Sequence, residues 1–137
     1  MINNQLERWG DIAVNIANRV KKTKEFHDLI IESKIVEMGK RARLMVKEAI
    51  DSFIDRSTEM AYKVLSSDEV VDNQNKEIFN FLIAKMQSDN LLIEPASHMI
   101  VLARQIERLA DHATNIAENL VFYVDAEFIS HKKNWIE

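Results

Sequence analysis

The 137-residue chain has no cysteine, one proline and two glycines. The missing thiols exclude disulfides, thiolate zinc sites and cysteine nucleophiles, a usage that suits a reducing cytosol. So few glycines and prolines withhold the turns a sandwich of short strands needs, and an apolar fraction of 47% is too high for a disordered chain. Helix is the default. No apolar run approaches the roughly 18 residues that span a bilayer, and the amino terminus lacks the charged-then-apolar layout of a secretory signal. The expectation is a soluble, cytoplasmic protein. A formal charge of -4 with mixed signs supplies no concentrated basic face for nucleic acid. The one basic cluster, Arg19 to Lys24, reads as cations placed at a helix C-terminus. Metalloprotease, nucleophile-elbow and P-loop patterns are absent, and no glutamate has a histidine three residues later, as di-iron bundles require. Nothing marks an enzyme.

What is present is helical periodicity. Met99, Ala103, Ile106, Ala110, Ala113, Ala117, Leu120 and Val124 alternate steps of four and three, which predicts a helix packed along one seam. It should open near Leu91, with Asn90 as N-cap and Pro95 tolerated close to the first turn. A second stripe runs through Ile31, Ile35, Met38, Ala42, Met45, Ala49, Phe53, Met60 and Val64, predicting one long helix from about Leu29 to Leu65. Ser66 with Glu69 three residues on has the form of a capping box and predicts a third helix, continuing through Val71, Ile78, Leu82 and Met86. Residues from about Asn3 to Lys24 are expected to form a further helix carrying Leu6, Gly10, Ala13, Ala17 and Val20 in register. The expected fold is all-α: an antiparallel bundle of three long helices over 29–131, one extra amino-terminal helix within 1–26, and a tail at 132–137. An amphipathic helix cannot expose its apolar face cheaply, so the extra helix packs as a fourth or finds a second copy of the chain.

The chain also repeats itself. QLERWGDIAVNIANRV, from Gln5, and QIERLADHATNIAENL, from Gln105, share eight of sixteen residues, including Glu, Arg, Asp and Asn in the same places. Glu7 and Asp11, Glu107 and Asp111, and Asp68 and Asp72 are each four apart, which sets both carboxylates of a pair on one helical face. Like charges at that spacing repel, and their place one residue off the core seam predicts partial burial, which raises the cost further. A cation would relieve both. Oxygen-only donors suit Mg, Ca, Mn or Fe rather than zinc or copper. Asn15 and Asn115 extend the stripes and offer a neutral oxygen ligand or a supporting hydrogen bond. Glu118 extends the stripe only in the second copy. The four histidines read as structural or exposed. A second reading stands beside this one: Arg104 with Glu107, and Arg108 with Asp111, have the spacing of surface ion pairs. Asp68 would also sit in a first helical turn, where the dipole favours an acid. The duplication favours the cation reading, because a solvated face has no need to repeat Glu, Arg, Asp and Asn together.

The segments ERWGDIAVNIA and ERLADHATNIAE resemble the signature of the PhoU family, regulators of phosphate-specific transport, which carry ER-x-[AG]-D-x-A-x-N-I-A-E in the third helix of each of two three-helix bundles. The run AIDSFIDRSTEMAYKVLSSDEVVDNQNKEIF resembles the family's second bundle, and VFYVDAEFISH its usual ending. The resemblance covers about Leu6 to His131. It implies a cytoplasmic, dimeric helical adaptor that acts with the phosphate-specific ABC transporter and its sensor histidine kinase, restraining uptake when phosphate is plentiful. It further implies multinuclear iron or similar centres held by the acid pairs: Asp68, Asp72, Glu107 and Asp111 at one site, with Asn115 and Glu118 nearby, and Glu7 and Asp11 at another. On that resemblance residues 1–26 correspond to the third helix of a truncated first bundle, so Glu7 and Asp11 lack an acidic partner unless a second subunit provides it.

Overall fold

The computed structural model describes residues 26–134, together with 7, 8, 11, 14, 15 and 18. Within residues 26–134 four helices follow one another: α1 (His27–Ser33), α2 (Ile35–Asp55), α3 (Thr58–Ser88) and α4 (Ile93–Asn134), with a short 3-10 turn at Asn90–Leu92. At 1.5 Å per residue the 42 residues of α4 extend about 63 Å, the longest rod in the bundle. The protein is all-α, and α2, α3 and α4 form its antiparallel three-helix bundle. Cross-helix pairs fix the directions: Lys63 Nζ meets Glu48 at 2.8 Å and Lys85 Nζ meets Glu32 at 3.1 Å, so α3 descends as α1 and α2 rise. The six described amino-terminal residues are helical and exposed. The rest of the helix expected over Asn3 to Lys24, including Trp9, Gly10 and the small residues Ala13 and Ala17, lies outside the described residues.

The core follows the periodic seams. Met99, Ala103, Ile106, Ala110, Ala113, Ala117 and Leu120 of α4 are buried, facing Ile35, Met38, Ala42, Met45 and Ala49 of α2 and Val64, Val71, Ile78 and Leu82 of α3. Small alanines alternate with methionine, leucine and isoleucine, which lets the rods approach closely while filling the space between them. Each large buried side chain contributes roughly 1.5–3 kcal/mol. Gly39 faces this packing, where an added Cβ would meet Ile106 Cδ1 at 3.9 Å, an ordinary contact.

The helix breaks differ from those the sequence pattern predicts. The helix expected from Leu29 to Leu65 is interrupted twice, at Lys34 and Arg56, both left-handed with φ of 62° and 54°. Ile31 and Phe53, counted in its stripe, are exposed in consequence. The second break carries the real cap: Ser57 accepts a hydrogen bond from the Met60 amide and opens α3. Ser66 caps nothing. Its hydroxyl donates to the Lys63 carbonyl three residues back, and Ser67 donates to the same carbonyl, so both are satisfied inside a continuous helix. The spacing of Ser66 and Glu69 matches a capping box, yet the apolar seam Ala61, Val64, Val71 passes through it without a phase change, and packing keeps the helix going. At the other end Asp89, rather than Asn90, serves as cap, accepting from the Leu91 amide, and α4 starts at Ile93 with Pro95 in its first turn. It runs on to Asn134, through the first residues of the expected tail.

Candidate metal centre

Moving the break to Arg56 and Ser57 changes what Asp68 and Asp72 are. Asp68 lies three turns inside α3, well beyond reach of the helix N-terminus, so the dipole gives it no support. Antiparallel packing lays this stretch of α3 against the middle of α4. Carboxylate oxygens of Asp68, Asp72 and Asp111 come within 4.8 Å of one another, with Asp68 and Asp72 half-buried and Asp111 exposed. Asp68 Oδ1 is buried and has no hydrogen-bond partner.

The electrostatics record the crowding. Asp68 is pushed up to about 6 from 3.8, first by burial and then by the charges of Asp72 and Asp111; when protonated it donates a hydrogen bond to Asp111, and Glu118 adds to the repulsion. Burial raises Glu107 as well, with Asp72 and Asp68 adding to it and Arg104 and Lys76 opposing. Asp111 is raised by burial, Glu107 and Asp72, partly offset by its hydrogen bond from Asp68. Three clustered acids all displaced upward form a site that favours added positive charge, whether protons or a cation.

The other predicted residues fall around the converging group of Asp68, Asp72 and Asp111. Glu107 is half-buried one turn before Asp111 and accepts a hydrogen bond from Asn75 Nδ2, so its oxygens are engaged outside the three-acid group. Asn115 and Glu118 are exposed one and two turns beyond Asp111. Neither expected ion pair, Arg104 with Glu107 or Arg108 with Asp111, closes among the described residues. Glu7 and Asp11 are exposed and helical and join no such acidic group among the described residues. Their neighbour Arg8 lies near enough to α4 to lower the pKa of His112, behind burial and ahead of Arg108. His112 is half-buried, and His98 lies 3.9 Å from Glu94, in keeping with structural roles. Asn75 is the participant that sequence reasoning missed. Its signal was available: it continues the stripe of Asp68 and Asp72 by another three residues.

Two carboxylates from one helix and a third from its neighbour, one of them with an orphaned buried oxygen, make an oxygen donor set fitted to a hard cation. A family model described as the PhoU domain matches residues 35–120. The chain belongs to the PhoU family. The match takes in α2, α3 and the part of α4 that carries Glu107, Asp111, Asn115 and Glu118, so the acidic trio lies within the PhoU domain and Glu7 and Asp11 lie before it. The chain is similar to the phosphate-specific transport system accessory protein PhoU homolog of Clostridium acetobutylicum, 32% identical over 121 residues, covering 87% of this chain and 54% of that protein. It is similar to the corresponding homolog of Caulobacter vibrioides at 33% over 133 residues, covering 96% and 58%. The crystal structure of PhoU from Pseudomonas aeruginosa superimposes with a TM-score of 0.82 at 31% identity, over 89% of this chain and 59% of that one. The chain therefore spans a little over half the length of these PhoU relatives. Among the described residues no helix is long and apolar enough to cross a membrane.

Proposed function

We propose that this chain is a metal-binding regulatory adaptor of phosphate transport and phosphate signalling. It acts by binding rather than by catalysis, in the cytoplasm and as a homodimer. Membership of the PhoU family supports the phosphate-transport role, since its relatives are named as accessory proteins of that system. The convergence of Asp68, Asp72 and Asp111 is the observation that carries the metal half. A divalent or ferric ion, of the Mg, Ca, Mn or Fe class, would be held by these three carboxylates, with Glu107 beside them and Asn115 and Glu118 at the margin. Bound there it would supply the positive charge that the three acids together demand. Glu7 and Asp11 would serve a second site completed by another subunit. The partners are the ATPase of the phosphate-specific ABC transporter and its sensor histidine kinase, both restrained when phosphate is plentiful.

The test is metal content after purification without chelator or histidine tag. Wild type should retain metal, and Asp111→Ala should lose most of it; equal, near-zero content in both removes the metal half. Co-purification with the transporter ATPase and the kinase checks the regulatory half, and contact with neither removes it.

A specific feature favours a second reading, a helical interaction module without metal. Toward its C-terminal end α4, still tied to the α2–α3 break by the Arg56–Glu127 ion pair, leaves Phe122, Phe128 and Ile129 largely exposed. In that case the unfolding temperature should rise with protein concentration while EDTA leaves it unchanged.

A further inference from the structure

The acidic trio occupies only one end of the groove between α3 and α4. Continuing along α3 from Asp72, the next residues on that face are Asn75 and Lys76, then Phe79 and Asn80; along α4 from Glu107 they are Arg104 and Ile100. These side chains line an open cavity of about 480 Å³. The groove thus changes sign within about one helical turn. Lys76 and Arg104 sit close enough to the acidic end for their charges to act against the upward shift of Glu107. Neither closes an ion pair among the described residues. Lys76 and Arg104 are exposed, come from different helices onto one cavity and close no ion pair there, so beyond their pull on Glu107 they remain available to an anion.

The rest of the lining narrows the class. An arginine fork and a lysine ammonium together suit a phosphoryl group, the arginine by paired hydrogen bonds and the lysine as a point charge. A free phosphate ion would fill only a small part of such a cavity, whose volume is that of sites for organic ligands. The remaining wall is apolar or amide: Phe79, 47% exposed, and Ile100 supply the apolar part, Asn80 offers both a donor and an acceptor, and Asn75, whose Nδ2 donates to Glu107, keeps its carbonyl oxygen to accept. A half-exposed aromatic ring and two carboxamides beside a pair of cations match the chemistry of a flat heterocycle that carries phosphate. We infer that the basic half of the groove between α3 and α4 binds a phosphorylated ligand with a flat aromatic body, a nucleotide by chemical class, through Lys76, Arg104, Asn75, Asn80 and Phe79.

The neighbouring carboxylates set the strength of that binding. Ionised and bare, they repel the ligand's phosphates; neutralised, they leave the field of Lys76 and Arg104 unopposed. Only this coupling rests on the metal reading above. The anion site itself does not.

Titration calorimetry of the full chain in EDTA, with ADP, inorganic phosphate and adenosine as separate probes, tests the inference. ADP should bind more tightly than either phosphate or adenosine. Lys76→Gln and Arg104→Gln, both at the surface, should each weaken ADP by about tenfold, the loss of one charge-assisted contact. Asp111→Asn should tighten it in the absence of any metal, because it removes one repelling charge. No ADP binding by either wild type or Asp111→Asn overturns the site, as does an affinity indifferent to both cation substitutions. Phosphate binding as tightly as ADP overturns the nucleotide class. Because every arm contains EDTA, the outcome is separate from the metal-content measurement, and either can fail alone.

Discussion

Asp68 concentrates the conflict on which the site is built. Its carboxyl titrates near 3.8 in an unfolded chain and about 6 in the fold, so the native state binds that proton more tightly. The stability associated with it is therefore full below about pH 3.8 and is lost as pH rises through about 6. In EDTA the unfolding temperature should carry a downward component between those limits. Asp68→Asn, which keeps the shape and drops the charge, should flatten that component and melt higher than wild type at pH 7.5. Calorimetric melts across pH check this; an Asp68→Asn protein less stable than wild type in EDTA at pH 7.5 would mean that the acid is satisfied without any added cation. Residues that lower stability where no partner is bound are what a binding site accumulates.

At the scale of elements, the start of α3 is decided by one serine and not another. Ser57 satisfies an orphan amide, whereas Ser66 and Ser67 bond back to a carbonyl within the helix. Ser57→Ala should cost about 1 kcal/mol, the ordinary value of an N-cap, and Ser66→Ala should be neutral within a few tenths. Urea melts of the two variants decide between a helix that begins at 58 and one that begins near 66. Gly39 offers a second measurement on α2. An alanine there meets only an ordinary contact with Ile106, so Gly39→Ala should gain up to about 1 kcal/mol from helix propensity. A loss instead would show that α2 and α4 need closer approach than the 3.9 Å contact indicates.

For the whole molecule, the proposed cation would link separate rods. A metal held by α3 and α4 together binds only the folded bundle, so it stabilises by mass action, about 2.7 kcal/mol at one hundred times its dissociation constant. Manganese titrated into the chelated protein should raise the unfolding temperature of wild type, and Asp68→Asn and Asp111→Ala should blunt the rise. A rise of the same size in all three would place the ion elsewhere. Solution mass at several concentrations addresses the other whole-molecule expectation: a homodimer that covers the exposed Phe122, Phe128 and Ile129 near the C-terminal end of α4 should lose mass on dilution, and Phe128→Glu should leave a monomer.

Much of the fold was legible along the chain, because helical burial has a short period that the order of residues alone can display. The seam of α4 from Met99 to Leu120 is buried at each expected position, and the scarcity of glycine and proline excluded sheet. The acid pairs were legible for the same reason, as local four-residue spacings. What the tertiary structure decided was whatever depended on two helices at once. Ser66 and Ser57 both look like caps, and only the unbroken seam through Ala61, Val64 and Val71 shows which one the packing allows. The register between α3 and α4 selects Asp68, Asp72 and Asp111 as the converging trio, hands Glu107 to Asn75, and leaves Glu7 and Asp11 outside the group. A sequence records which residues share a face of one helix; which faces meet, and at what height, is set by how side chains of different rods fill the space between them.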